Sequence, residues 1–86
     1  MEQHQIIWRG IRLTVTFAPE KFGMVDHIEL LTEDRSPLPV TETGYRSYFL
    51  MVGVVQGHGG PVAFVTAWLD HEAKRMGWSG TQLSLF

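Results

Sequence analysis

The fold is decided by the stretch Ile11-Arg12-Leu13-Thr14-Val15-Thr16-Phe17. Its apolar residues occupy every second position with polar residues between them, which is the period of a β-strand that turns one face to a core. Residues 5–8 read as a preceding strand, and Arg9-Gly10 suits the tight turn between the two. The loop of residues 18–23 then leads to a third strand over about residues 24–32. Three antiparallel strands in a meander are the simplest outcome.

The second half of the chain predicts a fourth strand and one helix. Residues 45–55 are aromatic and β-branched enough for a strand, in which Gly53 is a possible interruption, and both of its faces are apolar enough for a central or covered position. Pro61 suits the first position of a helix, apolar residues recur at helical spacing as far as Met76, and Gly77 is a natural stop. We therefore expect an α+β domain over residues 1–76, in which a sheet of about four strands is packed by one C-terminal helix.

Composition places the chain in the ordinary globular class. It has 86 residues, of which 44% are hydrophobic and 19% charged, so one small domain is expected, and marginal stability or a homodimer would be natural. The absence of cysteine excludes disulfides and thiolate chemistry. The N-terminus lacks the basic start and apolar stretch of a secretory signal, and the longest apolar run is too short to span a bilayer. We expect a cytoplasmic protein without membrane insertion.

The charge balance argues against strong binding of nucleic acid. Seven Lys and Arg residues face nine Asp and Glu residues, which gives a net charge of −2 without any basic run. DNA-binding domains usually concentrate positive charge on one face. Contact with nucleic acid is therefore expected to be weak or indirect.

The last five residues, Gln82-Leu83-Ser84-Leu85-Phe86, have the properties of a short binding peptide. Leu83, Leu85 and Phe86 hold nearly all of its apolar surface, and full burial of each would contribute roughly 1.5–3 kcal/mol. Gln82 offers amide donors and acceptors that can set the register, whereas Ser84 is small enough to stay at the rim. Because ordering a free tail offsets part of this gain, we expect a micromolar dissociation constant.

These five residues resemble the pentapeptide with which bacterial DNA polymerases, repair proteins and replication regulators dock on the β sliding clamp. Every position fits the preferred pattern of that motif: Gln, then Leu, then Ser or Asp, then Leu and Phe. The resemblance implies that the partner is the clamp, a ring-shaped dimer with one peptide pocket per subunit. Residues 77–81, Gly-Trp-Ser-Gly-Thr, have the composition of a mobile linker and would make residues 82–86 a flexible tail. The alternative is that the apolar alternation of residues 83–86 marks a last strand.

Two stretches of the body carry a second resemblance. Residues 39–49 (PVTETGYRSYF) and residues 59–70 (GGPVAFVTAWLD) resemble a family of small uncharacterised bacterial proteins that also end in a clamp-type tail. The resemblance implies no activity. It does imply that body and tail belong together.

Two groups of polar residues suggest catalysis only at first sight. Asp70, His71 and Glu72 are consecutive on the predicted helix and point about 100° apart, which favours a solvated face over a shared substrate atom. His27 and Glu29 share one face of the third strand, where a surface or cross-strand pair fits better than a metal site with two ligands.

A glycine-rich loop at residues 57–60, Gly-His-Gly-Gly, precedes the predicted helix. Such a loop can bind phosphate at a helix N-terminus, but this one lacks the Lys-Ser/Thr ending of a nucleotide-binding loop and favours a flexible turn. We therefore predict no catalytic residues, no metal and no cofactor.

Four residues are candidates for contact with nucleic acid: Arg9, Arg12, Arg46 and Tyr48. Together with neighbouring aromatic residues they could form an aromatic and basic platform for a single strand, with the C-terminus as a structural strand. This small nucleic-acid-binding module is the alternative to our main hypothesis. The main hypothesis is a non-enzymatic protein that docks on the clamp, either as an adaptor that brings a second protein partner to DNA or as a competitor that displaces polymerases.

Overall fold

Four antiparallel strands form a single sheet in the order in which they occur in the chain. In the computed structural model, which describes residues 1–78, they are β1 (Glu2–Trp8), β2 (Ile11–Lys21), β3 (Val25–Thr32) and β4 (Tyr45–Met51). A one-turn helix, α1 (Val54–Gly57), and a long helix, α2 (Pro61–Met76), follow. The predicted α+β fold, a meander of four strands packed by a C-terminal helix, is confirmed.

The β1–β2 hairpin closes through the predicted Arg9-Gly10 turn. Both residues have positive φ, which is the geometry that matches the twist of two paired strands. β1 begins earlier than the sequence indicates, because Glu2 already pairs with Phe17 and the register continues unbroken to Trp8 opposite Ile11. The early part of β1 is polar, so its strand character comes from pairing with β2 rather than from its own pattern.

The β2–β3 connection is shorter than predicted. β2 continues through the residues expected to form a loop, with a register shift between Ala18 and Lys21. The turn is closed by the Gly23 N–H, which donates to the Glu20 carbonyl at 2.8 Å. The bulge allows a strand to pass through Pro19, which cannot donate a ladder hydrogen bond.

The core lies between one face of the sheet and α2, which lies mainly across β1 and β2. The alternating residues of β2 point to this face, as predicted, and Ile28 and Leu30 of β3 lie beside them. The buried apolar residues contributed by β2 and α2 are Ile11, Leu13, Val15, Phe17, Val65, Leu69 and Ala73.

The segment between β3 and β4 contains one position where only glycine fits. Gly44 has φ +81°, and a Cβ there would lie 2.5 Å from Thr32 Oγ1 and 2.7 Å from the Arg35 backbone. The Gly44 carbonyl also accepts the Thr32 N–H at 2.8 Å. The close approach seats the loop of residues 33–44 against the end of β3.

β4 differs from the prediction in length and in position. It ends at Met51 and the chain turns into α1, whereas the sequence predicted a strand as far as residue 55. It also lies at the edge of the sheet rather than in a central or covered position, and its Phe49 and Met51 side chains are exposed. Apolar residues on both faces are common to a covered strand and to an edge strand with an apolar exposed face, so composition could not separate the two.

Within residues 1–78, no helix combines the length and apolarity that crossing a membrane requires.

Candidate functional site

The end of α2 is anchored to the hairpin, and this anchor fixes the position of Trp78, the last described residue. Gly77 adopts the left-handed conformation that ends a helix, and the Trp78 N–H donates back to the Ala73 carbonyl at 2.9 Å. The Trp78 ring packs on Trp8 with a centroid separation of 5.2 Å. Of the predicted linker of residues 77–81, these two are the described residues, and both have defined contacts.

Trp8 connects this anchor to the middle of the helix. Its indole N–H donates to Asp70 Oδ1 at 2.8 Å, and the Arg9 guanidinium lies 4.7 Å from its ring centroid. Arg9 Nη1 is also 3.5 Å from the Trp78 carbonyl oxygen. Asp70 therefore does more than form a solvated face, because it holds the helix against the β1–β2 hairpin.

The predicted clamp-binding residues, 82–86, lie outside the described residues, as does the linker from residue 79 onward. Gln82 follows Trp78 by four residues, so it can lie at most about 14 Å away.

A second group of residues lines the margin between α2 and β4, and we call it the aromatic strip: Tyr48, Phe64, Trp68 and Arg46. Trp68 stacks on Tyr48 with a centroid separation of 4.9 Å and an interplanar angle of 27°, and Phe64 lies 5.9 Å from Trp68. The Arg46 guanidinium lies 5.4 Å from the Tyr48 ring and 5.8 Å from the Trp68 ring. The strip thus offers partly exposed π-faces beside a cation.

Local periodicity explains how the strip forms. Phe64 and Trp68 are four residues apart on α2 and so share a side of the helix. Arg46 and Tyr48 are two residues apart on β4 and so share a face of the strand. The Arg46 side chain is held in place because Nη1 donates to the Val40 carbonyl at 3.2 Å.

The four candidate residues for nucleic acid are not all brought together. Arg46 and Tyr48 lie in the aromatic strip, whereas Arg9 lies at the Trp8 anchor. Arg12 points to the opposite face of the sheet, where it helps line a shallow pocket of about 330 Å³. The strip also includes Phe64 and Trp68, which the sequence indicated only as part of the apolar face of the helix. The four-residue spacing of Phe64 and Trp68 was the sequence feature that could have indicated the aromatic strip.

The sheet face away from α2 carries two polar pairs across β3 and β4. His27 Nε2 lies 2.6 Å from Ser47 Oγ, and its ring stacks on Phe49 at 4.4 Å. The Tyr45 hydroxyl donates to Glu29 at 2.5 Å, and this bond to a carboxylate raises the pKa of Tyr45. His27 and Glu29 share this face as predicted, and each pairs with a residue of β4.

Two further charged side chains of α2, Glu72 and Arg75, form a local pair on the surface. Arg75 donates to Glu72 at 2.6 Å, and this bond lowers the pKa of Glu72. Among residues 1–78, no three His, Cys, Asp or Glu side chains converge in a way that could hold a metal ion.

The family described as KlcB third domain matches residues 1–78. The chain belongs to the KlcB third-domain family. No curated protein and no solved structure matches it. The match to the KlcB third domain includes the two body stretches, residues 39–49 and 59–70, and ends before the motif at residues 82–86.

Proposed function

We propose that this KlcB third-domain chain is a non-enzymatic binding protein that docks on the bacterial β sliding clamp through residues 82–86. The observation that carries the proposal is the agreement of all five residues with the clamp-binding pattern. The three apolar side chains of residues 82–86 act as anchors, and the amide of Gln82 sets the register.

The contacts of Trp78 support this proposal. The core of residues 1–78 is closed by α2, and the end of that helix is held by Trp8 and by the Ala73 carbonyl. A motif that follows such an anchor by four residues can be presented beside the body, and the body need not change shape when the motif binds.

Single substitutions in the motif test the proposal on the full chain. Purified protein should bind the clamp with a micromolar dissociation constant in a surface plasmon resonance titration. Leu85→Ala and Phe86→Ala should each lose roughly 2 kcal/mol, or about 30-fold in affinity, because they remove anchors. Ser84→Ala is the matched control, since the side chain at that position is expected to stay at the rim.

Thermal melting of the same variants separates a docking peptide from a last strand. A docking peptide predicts that Leu85→Ala and Phe86→Ala melt within a few degrees of the natural chain. If either variant binds the clamp unchanged, its side chain is not an anchor; if either melts many degrees lower, the residue belongs to the core. Either result contradicts the proposal.

A clamp-dependent primer-extension assay distinguishes the two uses of the motif. Inhibition of synthesis that disappears with Phe86→Ala identifies a competitor. Unaffected synthesis with the protein retained on the clamp identifies an adaptor with a second protein partner. Inhibition that persists in the Phe86→Ala variant would show that the folded domain, and not the motif, inhibits synthesis.

A second candidate function, binding of single-stranded nucleic acid, is favoured by the aromatic strip. Base stacking on exposed aromatic rings beside an Arg is the usual basis of such binding, and Tyr48, Trp68 and Arg46 have this arrangement. With a net charge of −2 and one cation at the strip, affinity should be weak and strongly dependent on salt.

A labelled oligonucleotide measures this candidate directly. Arg46→Gln should weaken binding of a single-stranded oligonucleotide in a fluorescence anisotropy titration, whereas Arg12→Gln, an equal charge change on the opposite face, should not. If both variants lost the same affinity, the effect would come from net charge and not from the aromatic strip. If the natural chain bound no oligonucleotide, the nucleic-acid function would be rejected.

A further inference from the structure

β4 is one of the two edge strands of the sheet, and its outer side pairs with no described strand. On its inner side it pairs with β3 in an unbroken register from Val25 opposite Met51 to Leu31 opposite Tyr45. A strand of seven residues in regular geometry therefore presents its outer row of backbone groups for further pairing. Two described side chains meet its first residue, because Thr41 Oγ1 and Thr43 Oγ1 donate to the Tyr45 carbonyl at 2.8 Å and 3.4 Å.

This edge lacks the features that usually prevent pairing between molecules. Edge strands are commonly protected by proline, by lysine, by a bulge or by inward charge. β4 has no proline or lysine and no register shift, and its one charged residue, Arg46, is engaged with Val40 and the aromatic strip. The other edge, β1, begins with the polar run Glu-Gln-His-Gln. The two edges of the sheet are thus unequal, and β4 is the one prepared for a partner strand.

We propose that a second copy of this chain pairs with β4, antiparallel and about a twofold axis, to form one continuous sheet of eight strands. Side chains that oppose each other in an antiparallel pair lie on the same face, so the axis must pass beside a single residue. Only an axis at Tyr48 pairs all seven residues of β4. Tyr48 then faces the partner's Tyr48, and Tyr45 faces the partner's Met51.

Charge and apolarity agree with this register. Arg46 faces the partner's Leu50, and Ser47 faces the partner's Phe49, so no like charges are opposed. An axis at Arg46 would instead place two guanidinium groups directly opposite each other, which destabilises a strand pair. The aromatic strips of the two copies would meet on one face of the joint sheet.

The area available predicts a reversible dimer. Four exposed side chains of β4 face the partner, with exposed fractions of 40% for Tyr45, 38% for Tyr48, 51% for Phe49 and 78% for Met51. At roughly 200 Å² for each full side chain, they would bury on the order of 400 Å² per copy. A standard stable interface buries about 800 Å² per partner, so backbone pairing must supply the rest and association should depend on concentration.

Sedimentation velocity of the full chain over a concentration series tests the dimer, and a charge swap tests the axis. The natural chain should shift from monomer to dimer as concentration rises. Tyr48→Glu and Tyr48→Lys should each remain monomeric, because each places like charges opposite one another at the axis. An equimolar mixture of the two variants should restore the dimer.

Controls and contrary results follow from the geometry. Ile7→Glu and Ile7→Lys change the exposed Ile7 on the opposite edge and should leave the dimer intact. Because substitution of Tyr48 also removes its stacking on Trp68, hydrogen exchange of the natural chain gives an independent measurement: amide exchange in β4 should slow as concentration rises. A natural chain that stays monomeric at millimolar concentration, or a dimer lost with Ile7→Glu but kept with Tyr48→Glu, overturns the proposal.

Other occupants of the edge give distinct results. A monomer whose β4 amides are protected at every concentration, with protection lost on Leu85→Ala, would assign the edge to residues 82–86 and reject the second copy. None of these measurements includes the clamp, so the dimer stands or falls independently of the proposed function.

Discussion

Replacing Asp26 should destabilise the protein strongly, because this carboxylate joins three parts of the fold. Asp26 is fully buried on β3. Its Oδ1 accepts the Glu20 N–H at 2.8 Å, and its Oδ2 accepts the Gly53 N–H at 3.1 Å. One side chain therefore holds both the bulge at the end of β2 and the turn between β4 and α1.

The two hydrogen bonds set the expected loss in the free energy of unfolding. Removing one partner of a buried pair costs about 1–3 kcal/mol for the group left unsatisfied, and bonds to a charged group lie at the upper end. Asp26→Ala leaves two backbone N–H groups without an acceptor and should lower the free energy of unfolding by about 4 kcal/mol. Asp26→Asn keeps one acceptor oxygen, so it should cost about 2 kcal/mol. Since a small domain has a total stability of about 5–15 kcal/mol, the alanine variant should be close to unfolding at 37 °C.

Urea unfolding followed by tryptophan fluorescence measures both losses. The control is Glu42→Ala, which removes one negative charge from an exposed position and should change the free energy of unfolding by at most about 0.5 kcal/mol. If Asp26→Ala were as stable as the control, or if the asparagine variant lost as much as the alanine variant, the carboxylate would not be the bridge described above.

Two further predictions concern the anchor and the exposed sheet face. Trp8→Phe keeps a ring against Trp78 but removes the donor to Asp70, so it should lower the free energy of unfolding by about 1 kcal/mol. In an Asp70→Ala background the same substitution should cause no further loss. An unchanged loss in that background would show that the hydrogen bond is not the source of the effect. The Tyr45–Glu29 bond raises the pKa of Tyr45 above the usual tyrosine value of about 10, so its stabilising effect is full below that pH and is lost as pH rises through the folded pKa. Glu29→Gln should move the ultraviolet titration midpoint of Tyr45, measured in a Tyr48→Phe background, to lower pH; an unmoved midpoint would contradict the assigned cause.

The parts of the fold that follow local rules could be predicted from the sequence. The alternation of apolar and polar residues predicted β2, and the Arg9-Gly10 pair predicted the first turn. Pro61 and Gly77 predicted the two ends of α2. The start of β1 could not be predicted this way, because polar residues become a strand only when a neighbour pairs with them. The extension of β2 past Ala18 depends on a bulge that buried Asp26 helps to hold.

The candidate sites show the same division. The spacing of Arg46 and Tyr48 indicates a shared face, and the structure places both in the aromatic strip. This face is partly exposed because β4 lies at the edge of the sheet, and composition does not reveal which strand is the edge strand. The position of Arg9 depends on Trp78, which lies 69 residues further along the chain. Contacts over such separations follow from topology rather than from any local pattern.

The proposed dimer would change how the proposed clamp-binding motif acts. Trp78 lies at the end of the sheet where β4 begins, near Tyr45 and Arg46. Antiparallel pairing puts the partner's Met51 at that end, so the two Trp78 residues lie toward opposite ends of the joint sheet, and these ends are about 20 Å apart along the strands. A twofold pair of motifs has the symmetry of a ring with two pockets, and binding of the second motif would then occur at a high effective concentration. Tyr48→Glu should in that case weaken clamp binding although residues 82–86 are untouched. Unchanged binding by a monomeric Tyr48→Glu variant would mean that a single motif accounts for all of the affinity.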